Sequence, residues 1–309
     1  MQDQSHSHIC SLIPMHKLVP QSATTFVYQA KLAKILCNVY LTWCKRLTNH
    51  DLTITIDKPS KENYYTCKID LKNTQCWGKK GLKSFDIVEG TRVDIFWDFR
   101  QAKFSSTSST SSSSEPCSDY YVALVHGEEA VLLVGDLKSD AYKRTRSRPC
   151  SDEATLLHKK ENVCGKRLFC TKAMLNYGSK RGEHDIVIEN SLSGPGDPEM
   201  WISIEGTVVI RIMNLNWRFR GNETIMVNNV PMEIFWDVHD WLFSSPESGH
   251  GIGLFIFKLG TLEEEANATD FDSRNFSDFC CNGTKHDHVV DSPKNTSDFC
   301  HFLYAWKVE

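Results

Sequence analysis

Ile95-Phe96-Trp97-Asp98 recurs as Ile234-Phe235-Trp236-Asp237. Agreement continues outward from both copies. Trp77 precedes Gly81 by four residues, and Trp217 precedes Gly221 by four. A turn dipeptide stands before each motif, Glu89-Gly90 in the first and Asn228-Asn229 in the second, and a Phe follows each Asp by six residues, Phe104 or Phe243. The copies lie 140 residues apart at Trp77/Trp217 and 139 apart at Asp98/Asp237, so a single one-residue gap aligns them. This spacing predicts an internal duplication of roughly 90 residues per copy, a period too long and a copy number too low for a solenoid.

The motif has the period of a strand. Val93, Ile95 and Trp97 alternate with Asp94, Phe96 and Asp98; Met232, Ile234 and Trp236 alternate with Glu233, Phe235 and Asp237. Side chains in a strand point to opposite faces in turn, so one face of each is expected in a core. Asn-Asn and Glu-Gly supply the positive φ of two-residue hairpins. Leu52–Asp57, Thr66–Leu71 and the run Val39-Tyr40-Leu41-Thr42-Trp43 alternate as well. The expected fold is therefore mainly β. Antiparallel sheets come from two pseudo-repeated halves, sandwich- or flattened-barrel-like, with a few short helices at the junction. Trp43, Trp97, Trp201, Trp217 and Trp236 are the expected core tryptophans, because each such aromatic buries about 150–250 Å².

Composition narrows the functional classes. The 309 residues can bury a large core. A net charge of −4 and a pI near 6.3 argue against a globally basic nucleic-acid binder. No apolar run is long enough to span a bilayer. Residues 1–21 read as a polar, disordered leader without the apolar stretch of a secretory signal. With 12 cysteines and no such signal, reduced thiols and an intracellular location, cytoplasmic or nuclear, are expected.

Along the chain, residues 22–136 read as the first repeat. Within it, residues 105–118 form a flexible loop, and Ser105 to Ser114 is all Ser and Thr. Residues 137–165 read as a basic helical connector with two short helices, one stopped by Pro149 and one over Ser151 to Lys160, acids first and bases last. Residues 166–258 are the second repeat, 259–297 a disordered acidic insertion, and 298–309 a closing strand.

Six blocks together resemble a known family: Asn38-Val-Tyr-Leu-Thr-Trp-Cys-Lys45, Val93-Asp-Ile-Phe-Trp-Asp98, Lys143-Arg-Thr-Arg146, Gly182-Glu-His-Asp-Ile-Val-Ile188, Trp217-Arg-Phe-Arg-Gly-Asn222 and Phe235-Trp-Asp-Val-His-Asp-Trp-Leu-Phe243. They are similar to the plant domain-of-unknown-function 868 family, over roughly Thr25 to Lys258 and the final strand. The resemblance implies a plant origin and a mostly β fold. It brings no reaction, ligand or catalytic residue.

Candidate site residues follow from chemistry alone. Asp98 and Asp237 occupy the same place in each copy, and a convergent carboxylate pair is the apparatus of glycoside hydrolysis. The competing expectation is that each closes its strand with an Asx-type turn. His239 lies between two acids, which raise an imidazole's basicity. Lys143, Arg144, Arg146 and Arg148 lead a basic belt running to Lys172, suited to an anionic partner or to a solvated helix face. Two loose His/Cys sets, His6 to His16 and Cys280 to His301, lack the paired spacing of a zinc site, so neither metal nor cofactor is expected. N-x-Ser/Thr occurs at Asn222, Asn267, Asn275, Asn282 and Asn295. No Walker loop, Rossmann glycines or nucleophile elbow is present. The expectation is a non-enzymatic binding or scaffold module for a protein or small ligand, with the hydrolase and the anionic-partner adaptor as alternatives.

Overall fold

The computed structural model describes residues 22–32, 35–46, 49–57, 64–71, 78–88, 91–104, 114–177, 180–244, 251–259 and 299–308. The expected leader, residues 105–113 of the Ser/Thr tract, and nearly all of the acidic insertion lie outside them. Four alternating runs form a meander: β1 (Ala23–Leu32), β2 (Ile35–Lys45), β3 (His50–Asp57) and β4 (Tyr64–Leu71). Next come β5 (Lys80–Val88) and β6 (Thr91–Asp98), then a ribbon of β7 (Lys103–Phe104) with β8 (Pro116–Ser118). β9 (Tyr121–His126) and β10 (Glu129–Gly135) complete the second sheet, and α1 (Lys138–Thr145) leads to the short edge strand β11 (Arg148–Pro149). β12 (Thr155–Gly165) follows.

The second half also opens on a meander, here in a sheet of its own. β13 (Leu168–Tyr177), β14 (Lys180–Ser191), β15 (Glu199–Ile204) and β16 (Thr207–Ile212) make a four-stranded meander. β17 (Arg220–Val227) and β18 (Val230–Asp237) form a hairpin through Asn228 and Asn229, whose φ values of 49° and 65° fit the expected turn. The short helix α2 (His239–Phe243) precedes β19 (Ile252–Leu259) and β20 (Cys300–Lys307).

Hydrogen bonding joins parts of both halves into one nine-stranded sheet, ordered β17-β18-β19-β20-β12-β1-β2-β3-β4. No sheet among the described residues closes into a barrel. β12 carries the junction, antiparallel to β1 and parallel to β20. One row of register partners crosses all nine strands: Gly221, Trp236, Phe255, Leu303, Glu161, Thr24, Trp43, Leu52, Ile69. Partners in register share a face, so both hydrophobic cores lie on the same side of the long sheet. Over one end, β5, β6, β9 and β10 pack on β1–β4 around Trp43, Ile54 and Ile95. Over the other, β13–β16 pack on β18–β20 around Trp236, Ile202 and Phe255. Full burial of each such side chain stabilises by about 1.5–3 kcal/mol.

Between the two cores the row turns polar. Glu161 and Lys159 of β12 are 8 % and 4 % exposed, and His301 of β20 is fully buried. Oε2 of Glu161 accepts from Lys159 Nζ at 3.0 Å, His301 Nε2 at 3.2 Å and Thr171 Oγ1 at 2.5 Å. Lys159 also donates to the Lys172 carbonyl at 3.0 Å. Beside it the Ser114 hydroxyl donates to Thr24 Oγ1 at 2.7 Å. Burial opposes the charge on Glu161, but Lys159, His301 and Thr171 outweigh it and pull the carboxyl down to about 2. Burial lowers His301, which fits a neutral ring donating from Nε2. Its Nδ1 is buried without a hydrogen-bond partner among the described residues.

Glu115, just before β8, answers the same surroundings differently. Burial pushes its carboxyl up to about 7; Glu161 and Glu183 add to the rise, and Lys159 and Lys172 oppose it. Tyr120 is the further titratable neighbour. A folded-state value raised above the ordinary 4.5 means the folded protein holds the proton more tightly than the unfolded chain. The resulting stability is complete below pH 4.5 and is lost as pH rises through 7. Glu115→Gln removes this dependence. The variant is expected to gain about 2–3 kcal/mol on the native protein between pH 5 and pH 8. Thermal unfolding at both pH values measures this, and parallel shifts in the two proteins would contradict it.

Three expectations need correction. The second connector helix is the strand β12, and its Lys159 is no solvated base: the inward face of that strand is polar, which breaks the apolar alternation that marks strands in sequence. α1 ends at Arg146, whose φ of 53° is left-handed, before Pro149 is reached. Trp217 is 88 % exposed in the turn before β17 and belongs to no core; Trp97 and Trp201 are partly exposed.

Candidate functional site

The two Ile-Phe-Trp-Asp corners have matching geometry. The indole of Trp97 donates from Nε1 to the Gly78 carbonyl at 2.8 Å, and that of Trp236 to the Arg218 carbonyl at 3.0 Å. Each ring lies across the glycine on the neighbouring strand: a Cβ on Gly81 would stand 2.1 Å from Trp97, and one on Gly221 2.5 Å from Trp236. Glycine is needed at both positions because only hydrogen leaves room for the ring. Asp98 Oδ1 accepts from the Arg100 backbone N–H and Asp237 Oδ1 from that of His239, each at 3.2 Å. Each acid also pairs with a base at the start of the adjacent strand: Lys80 to Asp98 at 3.4 Å and Arg220 to Asp237 at 2.8 Å.

The first corner opens into a cleft of about 450 Å³, between α1 and the end of β6. Its wall holds Asp98, clamped by Arg100 through Nε at 2.9 Å and Nη2 at 2.8 Å. Partial burial works against the charge on Asp98, but the Arg100 and Lys80 contacts hold its carboxyl below the usual range. Across the cleft, α1 presents Asp140 and Lys143. Neither makes an ion pair among the described residues. Tyr121 lines the floor and is 2 % exposed. Its oxygen accepts from Arg144 at 3.1 Å, leaving its own proton to give.

Arg144 does other work. Its Nη1 also donates to the Trp97 carbonyl at 2.9 Å and its Nη2 to the Gly81 carbonyl at 3.0 Å. The guanidinium fork thus fastens α1 to the β5–β6 pair. Arg148 pairs with Glu129 at 3.0 Å, and Arg146 is exposed at the helix end. The four basic residues singled out in the sequence therefore split, and only Lys143 offers an unengaged charge to the cleft.

The sequence profile of a family described as Plant protein of unknown function (DUF868) matches residues 19–307. The chain belongs to that family. No curated protein and no solved structure matches it.

In this DUF868 member, Asp98 and Asp237 lie in different sheets, over different cores. Each accepts a backbone N–H two residues on, the Asx-type closure, and each is spent on a strand-borne base. His239 sits exposed at the second corner, 3.1 Å from Asp240 and against Phe219 and Phe243. No cluster of His, Cys, Asp or Glu fit to hold a metal occurs among the described residues, and the expected His/Cys sets lie outside them apart from Cys300 and His301. No helix among the described residues is long and apolar enough to cross a membrane. Tyr121, Lys80 and Arg100 were missed by sequence reasoning. Only Lys80 carried a signal, since Arg220 stands at its place in the other copy.

Proposed function

We propose that this chain is a non-enzymatic, β-rich binding module, intracellular and built by duplication, whose α1 cleft takes a small oxyanion-bearing ligand. The observation that carries the reading is the division of charge in the cleft. Asp98 is fully engaged by Lys80, Arg100 and a backbone N–H, so it serves as a clamp rather than as an acid or base. The Lys143 ammonium and the Tyr121 hydroxyl proton remain to be given, and against them Asp140 is the one lining carboxylate without an ion pair among the described residues. Arg100, held from behind by Asp98, keeps further N–H groups for a ligand. These donors converge on a space of small-ligand size. The matching corners support the duplication.

Calorimetric titration with inorganic phosphate and with citrate tests the proposal. Saturable binding of either is expected, weaker at high salt because the cleft is open to solvent. Lys143→Glu is expected to weaken it at least about tenfold, or roughly 1.4 kcal/mol, with no change in fold because Lys143 is exposed. Absence of saturable binding to both anions, or binding indifferent to Lys143→Glu, overturns it.

A further inference from the structure

A second groove lies on the outward face of the four-stranded sheet, away from the first cleft in sequence and in composition. Leu168, Glu189, Trp201 and Arg211 are successive register partners across β13–β16, so they share one face. The opposite face carries Ile188, Ile202 and Ile210 into the second core. The groove measures about 430 Å³ and is lined by Arg167, Glu189, Asn190, Ser191, Trp201 and Val208. Its platform is apolar: the Trp201 ring is partly exposed and Val208 is 54 % exposed. Arg211 holds one side of the ring at 5.8 Å and is itself fixed by Glu199 at 2.9 Å.

The polar groups around that platform are unspent. Among the described residues the Arg167 guanidinium, the Glu189 carboxylate, the Ser191 hydroxyl and the Trp201 indole N–H make no side-chain hydrogen bond or ion pair. Asn190 alternates with Glu189 and stands in the inward row with Met200 and Ile212, so its buried Nδ2, without an acceptor among the described residues, belongs to the core side of the sheet and not to the groove.

The inventory differs from that of the first cleft. There, Asp140 faces Lys143, but the Tyr121 hydroxyl and the spare Arg100 N–H groups tip the inventory toward donors and suit an anion. Here Arg167 balances Glu189, and donors and acceptors are mixed around an aromatic surface. An ion would leave one of those two charges unanswered. A sugar ring matches the set: an apolar C–H face for the indole, and hydroxyls that both donate and accept for Glu189, Arg167 and Ser191.

We infer that the outward groove at Trp201 binds a ring of a neutral oligosaccharide, stacked on the indole and hydrogen-bonded at its rim. The groove is short, so one or two rings fill it and the rest of a chain extends along the sheet.

Calorimetric titration of the full chain with cellohexaose, xylohexaose and maltohexaose tests this. At least one is expected to bind saturably. Trp201→Ala is expected to weaken that binding at least about tenfold, and Glu189→Gln by several-fold with an unchanged melting temperature. Lys143→Glu is expected to leave it unchanged, which separates this groove from the anion cleft. No binding of the three sugars at millimolar concentration overturns the inference, as does binding that survives Trp201→Ala while Glu189→Gln is fully folded and equally tight.

Discussion

Glu161→Ala is expected to cost roughly 3–5 kcal/mol, among the largest effects of any single substitution in this protein. The reason lies in what remains behind. Lys159 is 4 % exposed and keeps its ammonium in place through Glu161 and one carbonyl. Without the carboxylate, the cation is buried beside a neutral histidine that has lost its one hydrogen-bond partner among the described residues. Thr171 loses its acceptor as well. The cost belongs to the broken pair and does not measure what the pair contributes, so the double variant Lys159→Met/Glu161→Leu is expected to recover most of the loss, because two apolar side chains of similar size leave no stranded charge. Urea unfolding of the three proteins decides it. A Glu161→Ala cost under about 1 kcal/mol would show that water reaches the seam, and a double variant as unstable as the single one would show that the stranded Lys159 charge is not the source of the loss.

That seam also explains why the fold was only partly legible. Strands announce themselves by alternation, and the runs around Ile54, Trp43, Ile95 and Ile234 do so because one face of each meets a core. The Asn228-Asn229 turn was legible for a local reason, since its backbone needs φ values that asparagine tolerates. β12 has a core-facing side made of Lys159 and Glu161, so its sequence looks like a charged helix face. Its role depends on β20, which pairs with it from about 140 residues away, and on Thr171, which roofs it. No local pattern encodes such a contact. The cleft was half legible for the same reason. Asp98 and Lys143 were chosen on separate grounds, and the sheet brings them to one space. Arg144 read as a free base because nothing nearby in sequence names the carbonyls of Gly81 and Trp97 as its acceptors. Trp217 shows the converse failure. The area a tryptophan can bury placed it among the core residues, yet it stands 88 % exposed.

The twin corners allow an internal comparison in which the same four letters carry different weight. Trp236 is 2 % exposed beneath the second flanking sheet, in a row with Phe255 and Leu303. Trp97 makes the same indole bond and covers the same kind of glycine, but it is partly open to solvent. Trp236→Ala is expected to cost about 3–5 kcal/mol, since it removes a large buried ring and leaves a cavity the sheets cannot close. Trp97→Ala is expected to cost less, roughly 1–3 kcal/mol, because solvent fills part of the space and less transfer free energy is lost. The glycines follow the same order. Gly221→Ala drives a methyl group into a ring that the second core holds in place, whereas at Gly81 the ring has solvent to move toward. Denaturant midpoints for the four variants measure the order directly. A Trp97→Ala cost equal to or above that of Trp236→Ala would mean that the first corner, through Arg144 and α1, supports more of the fold than its burial implies.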